Sequence, residues 1–201
     1  MKFFEFEKKM LKYPIFTSKE VRNIFFNEPA ILVQIAFWSK KGYLKKIKKG
    51  LYAMANTQNN INPMELAEKI YAPSYLSLEF MLHHYGIIPD VPGTFTSVTS
   101  RKTMFYKTDF GNFSYQKIKP EFFFGYIRQD NAGMAAPEKA LFDYLYLNKK
   151  KFEAEENFWR EMRIDEDFKF DRKKIEAYKK IFNDKKINNL IDSLLAYQKN
   201  A

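Results

Sequence analysis

The sequence predicts an α+β protein of two domains, and three patterns along its 201 residues support that class. The first 56 residues combine three short patterns of helical spacing with one predicted hairpin. Short runs of Phe, Tyr, Val and Thr follow between 94 and 127, which is typical of antiparallel strands. From 152 to 199 the spacing is helical again, with an apolar stripe over 187–195. We therefore expect a helical N-terminal domain, 1–56, and a mixed α/β domain with antiparallel strands and a helical C-terminal tail, 63–201.

Three helices are predicted in the N-terminal domain. The first spans about 3–12 and is ended by a proline. The second has a capping residue at its start, Thr17 or Ser18. The third follows the Asn-Glu-Pro boundary at 27–29, where asparagine can cap and proline suits the first turn, and it is stopped by Gly42. The polar stretch at 56–62 is the predicted linker to the second domain. Near the start of that domain, one helix is predicted over 74–85, capped by Ser74 or Ser77 and closed by Gly86.

Two short strands, 43–47 and 50–54, follow the third helix and are joined by a tight Lys-Lys-Gly turn. Helix, helix, turn, helix and hairpin is the order of a winged helix-turn-helix, whose second helix of the pair enters the major groove. No acidic residue lies between Pro29 and Met64, and six lysines do. The pattern therefore predicts binding to double-stranded DNA. The predicted contact residues are Thr17, Ser18, Lys19, Gln34, Lys40, Lys41, Lys45, Lys46, Lys48 and Lys49.

These residues have different predicted roles. The amino end of the second helix, 17–19, is suited to a phosphate, and the lysines are suited to the DNA backbone. The third helix is nearly all apolar, so Gln34 is its only side chain able to bond an adenine edge, while Ala30, Val33 or Phe37 are available for a thymine methyl. This interpretation requires the hairpin to lie outside the protein interior, with its lysines free of carboxylates.

Two other interpretations of this region remain open. A lysine-rich hairpin can simply be a solvated strand edge, protected from aggregation by its charge. Part of the apolar face of the third helix can also pack on the second domain, which would leave Lys40 and Lys41 to make most of the DNA contacts.

The composition narrows the class of protein. Its formal charge is +10 and its pI is near 9.4, which favours a polyanionic partner. The chain has no cysteine, which excludes disulfides, thiolate catalysis and cysteine-based zinc sites. Its start has no uninterrupted apolar core of a signal peptide, and no apolar run is long enough to span a bilayer. We expect a cytoplasmic protein without a membrane partner.

Three blocks carry a family resemblance when taken in order. They are Lys-Gly-Leu-Tyr at 49–52, Pro-Ser-Tyr-Leu-Ser-Leu-Glu at 73–79 leading to His-Tyr-Gly-Ile at 84–87, and Ala-Pro-Glu-Lys-Ala-Leu-Phe-Asp at 136–143. Over about residues 10–150 the chain resembles AbiEi-type antitoxins, the transcription-regulator halves of type IV toxin–antitoxin (abortive infection) systems.

The resemblance implies a repressor that binds inverted repeats in its own promoter through the winged helix. It also implies a C-terminal domain that counteracts a nucleotidyltransferase-like toxin without a stable complex. By the same resemblance, Gln34 and the lysines of the third helix and wing would contact DNA. No catalytic residue, metal or cofactor is predicted.

Other constellations suggest less favoured functions. Glu138, Lys139 and Asp143 allow an alternative, a metal-dependent nuclease or nucleotidyl enzyme, but the two carboxylates are predicted on different helix faces. His83 and His84 are adjacent on a helix, so we expect packing roles rather than a metal site. The aromatic residues at 105–106, 110 and 122–124 are expected in the core rather than stacked on single-stranded bases. The stripe at 187–195 would serve a pure interaction module if it docked on a partner.

Overall fold

The computed structural model describes residues 1–56, 61–129, 131–152 and 156–200. It is an α+β protein with two hydrophobic cores and two sheets, which confirms the predicted class. The central part of the predicted linker, 57–60, lies outside the described residues. Among the described helices, none has the length and apolar character needed to cross a bilayer.

Residues 1–56, which we term the N-terminal unit, form three helices around one small sheet. The sheet order is β1-β3-β2, and both outer strands pair antiparallel with β3. Strand β1 was not predicted, because a run of three residues between a proline and a helix cap carries too little periodicity. The elements are α1 (Phe3–Met10), β1 (Ile15–Thr17), α2 (Ser18–Ile24), α3 (Ile31–Lys40), β2 (Leu44–Lys48) and β3 (Leu51–Met54).

Local signals fix most of these boundaries. Thr17 caps α2 in a reciprocal capping box with Glu20, as its position predicted. Gly42 follows the last residues of α3 at φ +80°, the left-handed conformation that glycine adopts most readily. The start of α3 differs from the prediction: its N-cap is Ala30, and Pro29 precedes the cap instead of lying in the first turn. A turn in which the Glu28 N–H donates to the Phe25 carbonyl occupies the predicted boundary, so α3 begins later in the chain than predicted.

Residues 61–200, which we term the C-terminal unit, build a six-stranded sheet of order β6-β7-β5-β4-β9-β8 with helices around it. The sheet is mixed, whereas antiparallel strands were predicted: β5 runs parallel to β7, and β4 to β9. Strand β6 lies at the sheet edge and pairs antiparallel with β7. Strand β7 is therefore the neighbour of β5, and the two run in the same direction. The elements are α4 (Pro63–Ile70), β4 (Ser74–Leu76), α5 (Leu78–His84), β5 (Phe95–Thr99), β6 (Met104–Thr108), β7 (Gly111–Lys117), a 3-10 helix (Pro120–Phe122), β8 (Tyr126–Gln129), β9 (Ala132–Ala135), α6 (Pro137–Asn148), α7 (Glu156–Glu161), α8 (Arg172–Phe182) and α9 (Lys185–Asn200).

Three expectations for the C-terminal unit differ from the structure. The single helix predicted over 74–85 is divided into β4 and α5, because 74–76 is needed as a central strand that is buried on both faces. The apolar stripe at 187–195 is not left for a partner: Ile187, Leu190, Ile191 and Leu194 are fully buried in the protein's own core. Phe105 is also outside the core, with 56% of its surface exposed on edge strand β6.

The small sheet lies between the two cores. Phe16, Leu44 and Met54 pack into the N-terminal core with α1, α2 and α3. Ile15, Leu51 and Ala53, from the opposite face of β1 and β3, belong to the C-terminal core. The two units are therefore joined by apolar packing on opposite faces of this sheet.

Candidate nucleic-acid interface

Positive charge is concentrated in the N-terminal unit. It holds 12 of the 34 lysines and arginines but only four of the 24 acidic residues, so it carries +8 of the total formal charge of +10. Across the described part of the chain, none of the ion pairs within 4 Å involves a lysine or arginine of this unit. For these cations, no ion pair among the described residues has to break before an external anion binds.

A basic cleft of about 450 Å³ lies between α2, α3 and the β2–β3 turn. Three predicted contact residues meet there, namely Ser18, Lys19 and Lys49. Arg22 joins them, and it was missed in the sequence, although its place three residues after Lys19 on one helix was a usable signal. The full lining is Ser18, Lys19, Arg22, Leu32, Ile35, Lys49, Gly50 and Tyr52.

Backbone geometry holds the cleft together. The Ser18 N–H donates to the Gly50 carbonyl at 2.9 Å, which ties the start of α2 to the hairpin turn. Gly50 has φ +79°, a conformation strained for other residues, and a Cβ there would lie 3.7 Å from the Ser18 hydroxyl oxygen. Lys19 and Lys49, the neighbours of this bonded pair, thus both line the same opening.

Thr17 is not free to bind a phosphate as predicted. Its N–H donates to Glu20 Oε2 at 2.6 Å, and its hydroxyl donates to the same oxygen at 2.9 Å. The hydroxyl also accepts from the Glu20 N–H at 3.1 Å. The capping box therefore occupies the hydrogen-bonding groups of Thr17 and places a carboxylate beside it, which disfavours a second anion.

Lys48 also differs from its predicted role. Its ammonium donates to the Ile70 carbonyl of the C-terminal unit and lies 5.5 Å from the Tyr106 ring centroid. Burial, and then the charge of Arg101, lower the pKa of Lys48. The cause is a register shift in β2 between Lys46 and Lys48, which sets Lys48 opposite Leu51 on the sheet face that the C-terminal unit covers.

The remaining hairpin lysines divide between the two sheet faces. Lys46 is exposed and lies opposite Tyr52, which lines the basic cleft, so Lys46 extends the cationic surface on that side. Lys45 is half-buried and lies opposite Ala53, on the face toward the C-terminal core. The requirement set by the sequence is met only in part: β3 is the buried central strand and Lys48 is turned inward, whereas Lys46 and Lys49 are exposed.

Lys40 and Lys41 form a second basic group at the far end of α3. Both are exposed, and the Lys41 ammonium lies 5.7 Å from the Phe37 ring centroid. Lys40 is eight residues beyond Leu32 of the cleft, which is about 12 Å along the helix axis. Of the predicted contact residues, Ser18, Lys19 and Lys49 therefore lie in one cationic site beside the first half of α3, and Lys40 and Lys41 lie in a second at its end.

The outward face of α3 between these sites is apolar. Val33 is 73% exposed and Phe37 is 54% exposed, so this face does not pack on the C-terminal unit as the alternative interpretation proposed. Ile31, Ile35 and Trp38 face the core as predicted. Gln34 is half-buried, and its Oε1 is enclosed without a hydrogen-bond partner among the described residues.

In the C-terminal unit, two of the family-like blocks meet in one buried polar network. The Lys139 ammonium pairs with Asp143 Oδ1 one helical turn away and donates to the Tyr75 hydroxyl oxygen at 2.8 Å. Tyr75 and Ser77 donate to Asp143 Oδ2 at 3.0 and 2.8 Å. Burial raises the pKa of Asp143 and lowers that of Lys139, while each charge opposes the other's shift. The network joins β4 to α6 through groups that are fully buried.

This geometry does not bring the acidic residues of the enzyme alternative together. Both carboxylate oxygens of Asp143 have protein partners. Glu138 instead accepts from the Asp171 N–H at 2.9 Å, at the start of α8. In the described ranges, no three His, Asp or Glu side chains are grouped so as to hold a metal ion.

Comparison with known proteins supplies no relative from which a function can be taken. The sequence matches no protein-family model, and no curated protein matches it significantly. The function is therefore inferred from the two basic sites and the apolar face of α3 between them.

Proposed function

We propose that the N-terminal unit is a winged helix-turn-helix that binds double-stranded DNA. Its order of elements, α1-β1-α2-α3-β2-β3, supports this, because α2 and α3 form the helical pair and β2–β3 the wing. Strand β1 completes the sheet by pairing with β3. In this arrangement α3 enters the major groove, and the basic cleft and the hairpin turn face the sugar–phosphate backbone.

The observation that carries this proposal is the net charge of +8 on 56 residues, whose lysines and arginines form no ion pair with the described carboxylates. DNA gains affinity when lysines and arginines displace its condensed counterions. Cations that already had carboxylate partners would lose part of that gain, since the internal pair must be broken first. In the described part of the chain, Lys19, Arg22, Lys46 and Lys49 have no such partner. Lys19, Arg22 and Lys49 line one cleft, and Lys46 lies opposite Tyr52 at its side.

We further propose that the protein is a transcriptional repressor and the antitoxin of a type IV toxin–antitoxin system. The three sequence blocks support this, and so does the way that 73–79 and 136–143 meet in one buried network. The chain would bind inverted repeats in its own promoter. It would counteract a nucleotidyltransferase-like toxin in the cytoplasm by binding rather than catalysis, and without a stable complex.

A gel-shift titration with DNA from upstream of its own gene tests the repressor. We expect binding that is tighter than to an unrelated duplex of equal length and that weakens steeply as KCl rises, with a log–log slope of roughly −4 to −5. Binding that is absent, or insensitive to salt, would contradict DNA recognition. Coexpression with the product of a neighbouring nucleotidyltransferase gene tests the antitoxin: growth must be restored by the full chain and not by the N-terminal unit alone.

Lys48→Met is expected to lower the stability of the protein without weakening its binding to DNA. Because the ammonium contacts Ile70 and Tyr106, its loss should lower the free energy of unfolding by about 1 kcal/mol and leave the salt slope unchanged. Lys49→Met is the matched control: it should reduce the slope by about 0.9 and leave stability unchanged. Urea denaturation and DNA titrations at several KCl concentrations measure both quantities. An equal loss of slope in the two variants would place Lys48 on the DNA.

A further inference from the structure

The exposed apolar face of α3 raises the question of what this helix recognises in the major groove. This inference rests on the proposed DNA binding and concerns base preference alone. A recognition helix normally presents polar side chains that hydrogen-bond to base edges. On α3 the side chains that face outward at mid-helix are Val33 and Phe37, with 73% and 54% of their surfaces exposed.

Gln34 does not supply the missing polar contact. A glutamine reads adenine with two bonds, one accepted by Oε1 from N6 and one donated to N7. Here Oε1 is enclosed by the protein and has no partner in the described part of the chain. Without an accessible acceptor, Gln34 cannot make the bidentate contact that identifies adenine.

We propose that α3 recognises the C5-methyl groups of thymine through Val33 and Phe37. In the major groove, thymine is distinguished by this methyl group, and apolar side chains are the groups that contact it. Val33 and Phe37 are one helical turn apart, which is about 6 Å along the axis. That distance is close to two base-pair steps of about 3.4 Å, so the two side chains match methyl groups on base pairs two steps apart.

The charges around this face favour DNA as its occupant. Lys40 and Lys41 extend beyond one end of the apolar face, and Lys19, Arg22 and Lys49 flank the other end. An apolar strip with unpaired cations at both ends complements a groove floor bordered by phosphates on both sides. A second copy of this chain would instead bring two sets of like charges together.

Uracil substitution tests the inference directly, because deoxyuridine differs from thymidine only by the missing methyl group. The probes are alternating adenine–thymine and adenine–uracil duplexes of about 24 base pairs, titrated with the full chain by fluorescence anisotropy. Each lost methyl contact is expected to lower affinity about threefold to fourfold, so the uracil duplex should bind about tenfold more weakly. A guanine–5-methylcytosine duplex, which carries a methyl in the same groove, should bind more tightly than its unmethylated counterpart.

Variants connect this preference to the two side chains. Val33→Ala with Phe37→Ala should abolish the difference between thymine and uracil duplexes. Both residues are exposed, so the fold should tolerate the change. Lys49→Gln should weaken binding to both duplexes equally and preserve their ratio, because it contacts phosphate.

Three results would overturn the inference. Equal affinity of the full chain for the thymine and uracil duplexes would show that the methyl groups are not read. Retention of the difference in the double alanine variant would place the reading elsewhere. A lower sedimentation mass of that variant without DNA would show that the face joins two copies of the chain. In all three cases salt-sensitive DNA binding would persist, whereas the proposed function itself fails only if no duplex binds in a salt-sensitive way.

Discussion

Asp143→Ala should lower the free energy of unfolding by about 3–5 kcal/mol, the largest stability change expected for a single substitution in this protein. The change leaves the fully buried Lys139 ammonium without its carboxylate partner. It also removes the acceptor of the Tyr75 and Ser77 hydroxyl groups. Buried donors without acceptors carry their full desolvation cost, which explains why the loss exceeds that of a simple hydrogen bond. Urea denaturation followed by tryptophan fluorescence gives the unfolding free energy.

Two comparisons identify the cause of that loss. Replacing both partners, Lys139→Met with Asp143→Leu, removes the unpaired charge and should restore the part of the stability that this charge costs, while the Tyr75 and Ser77 hydroxyl groups still lack their acceptor. Asp192→Ala breaks the more exposed Lys179–Asp192 pair, whose atoms lie 2.8 Å apart, and should cost less than about 1 kcal/mol. If the double replacement were as unstable as Asp143→Ala, the loss would come from the unsatisfied hydroxyl groups or from side-chain shape and not from the buried charge.

Reversing the charge of the basic cleft should have the largest effect on DNA binding. Lys19→Glu, Arg22→Glu and Lys49→Glu together replace three attractive contacts by three repulsive ones, and we expect affinity to fall by roughly 100-fold or more at low salt. All three residues are exposed and form no ion pair with the described residues, so the fold should remain intact. Neutral glutamine at the same positions should reduce the salt slope by about 2.7, if each residue contacts one phosphate.

A matched variant distinguishes the effect of the charge in the basic cleft on DNA affinity from the effect of the net charge of the protein. Lys173→Glu, Lys180→Glu and Lys186→Glu change the net charge by the same amount on exposed positions of α8 and α9. Anisotropy titrations should show a much smaller loss for this variant than for the cleft variant. Equal losses would mean that the DNA responds to the total charge of the protein and that the cleft is not the contact surface.

Signals within a few residues predicted the N-terminal unit well. The Thr17 cap depends on Glu20 three residues later, and the end of α3 depends on the left-handed conformation of Gly42. Both interactions are local, so the sequence alone was sufficient. The same holds for the apolar residues that turn α3 toward the core, because helical spacing fixes which side chains share a face.

Strand β4 shows where local signals were insufficient. The residues at 74–76 continue the helical spacing of α5, and the sequence predicted one helix. In the structure, β5 and β9 flank them on both sides and satisfy their backbone groups from segments about 20 and 60 residues away. Pairing between residues so far apart in the chain leaves no signal in the local sequence pattern. Here the tertiary pairing overrode the helical propensity of these residues.

The sequence by itself determined the order of helices and hairpin, the apolar character of α3 and the concentration of lysines near the hairpin. Tertiary structure decided which of those lysines remain available to a phosphate. A one-residue shift in β2 turns Lys48 toward the C-terminal unit, while Lys46 stays exposed, and the packing of α2 against the hairpin turn brings Arg22 beside Lys49. The physical reason is that strand register and the approach of distant elements set the direction of a side chain, and residue spacing along the chain does not encode either one.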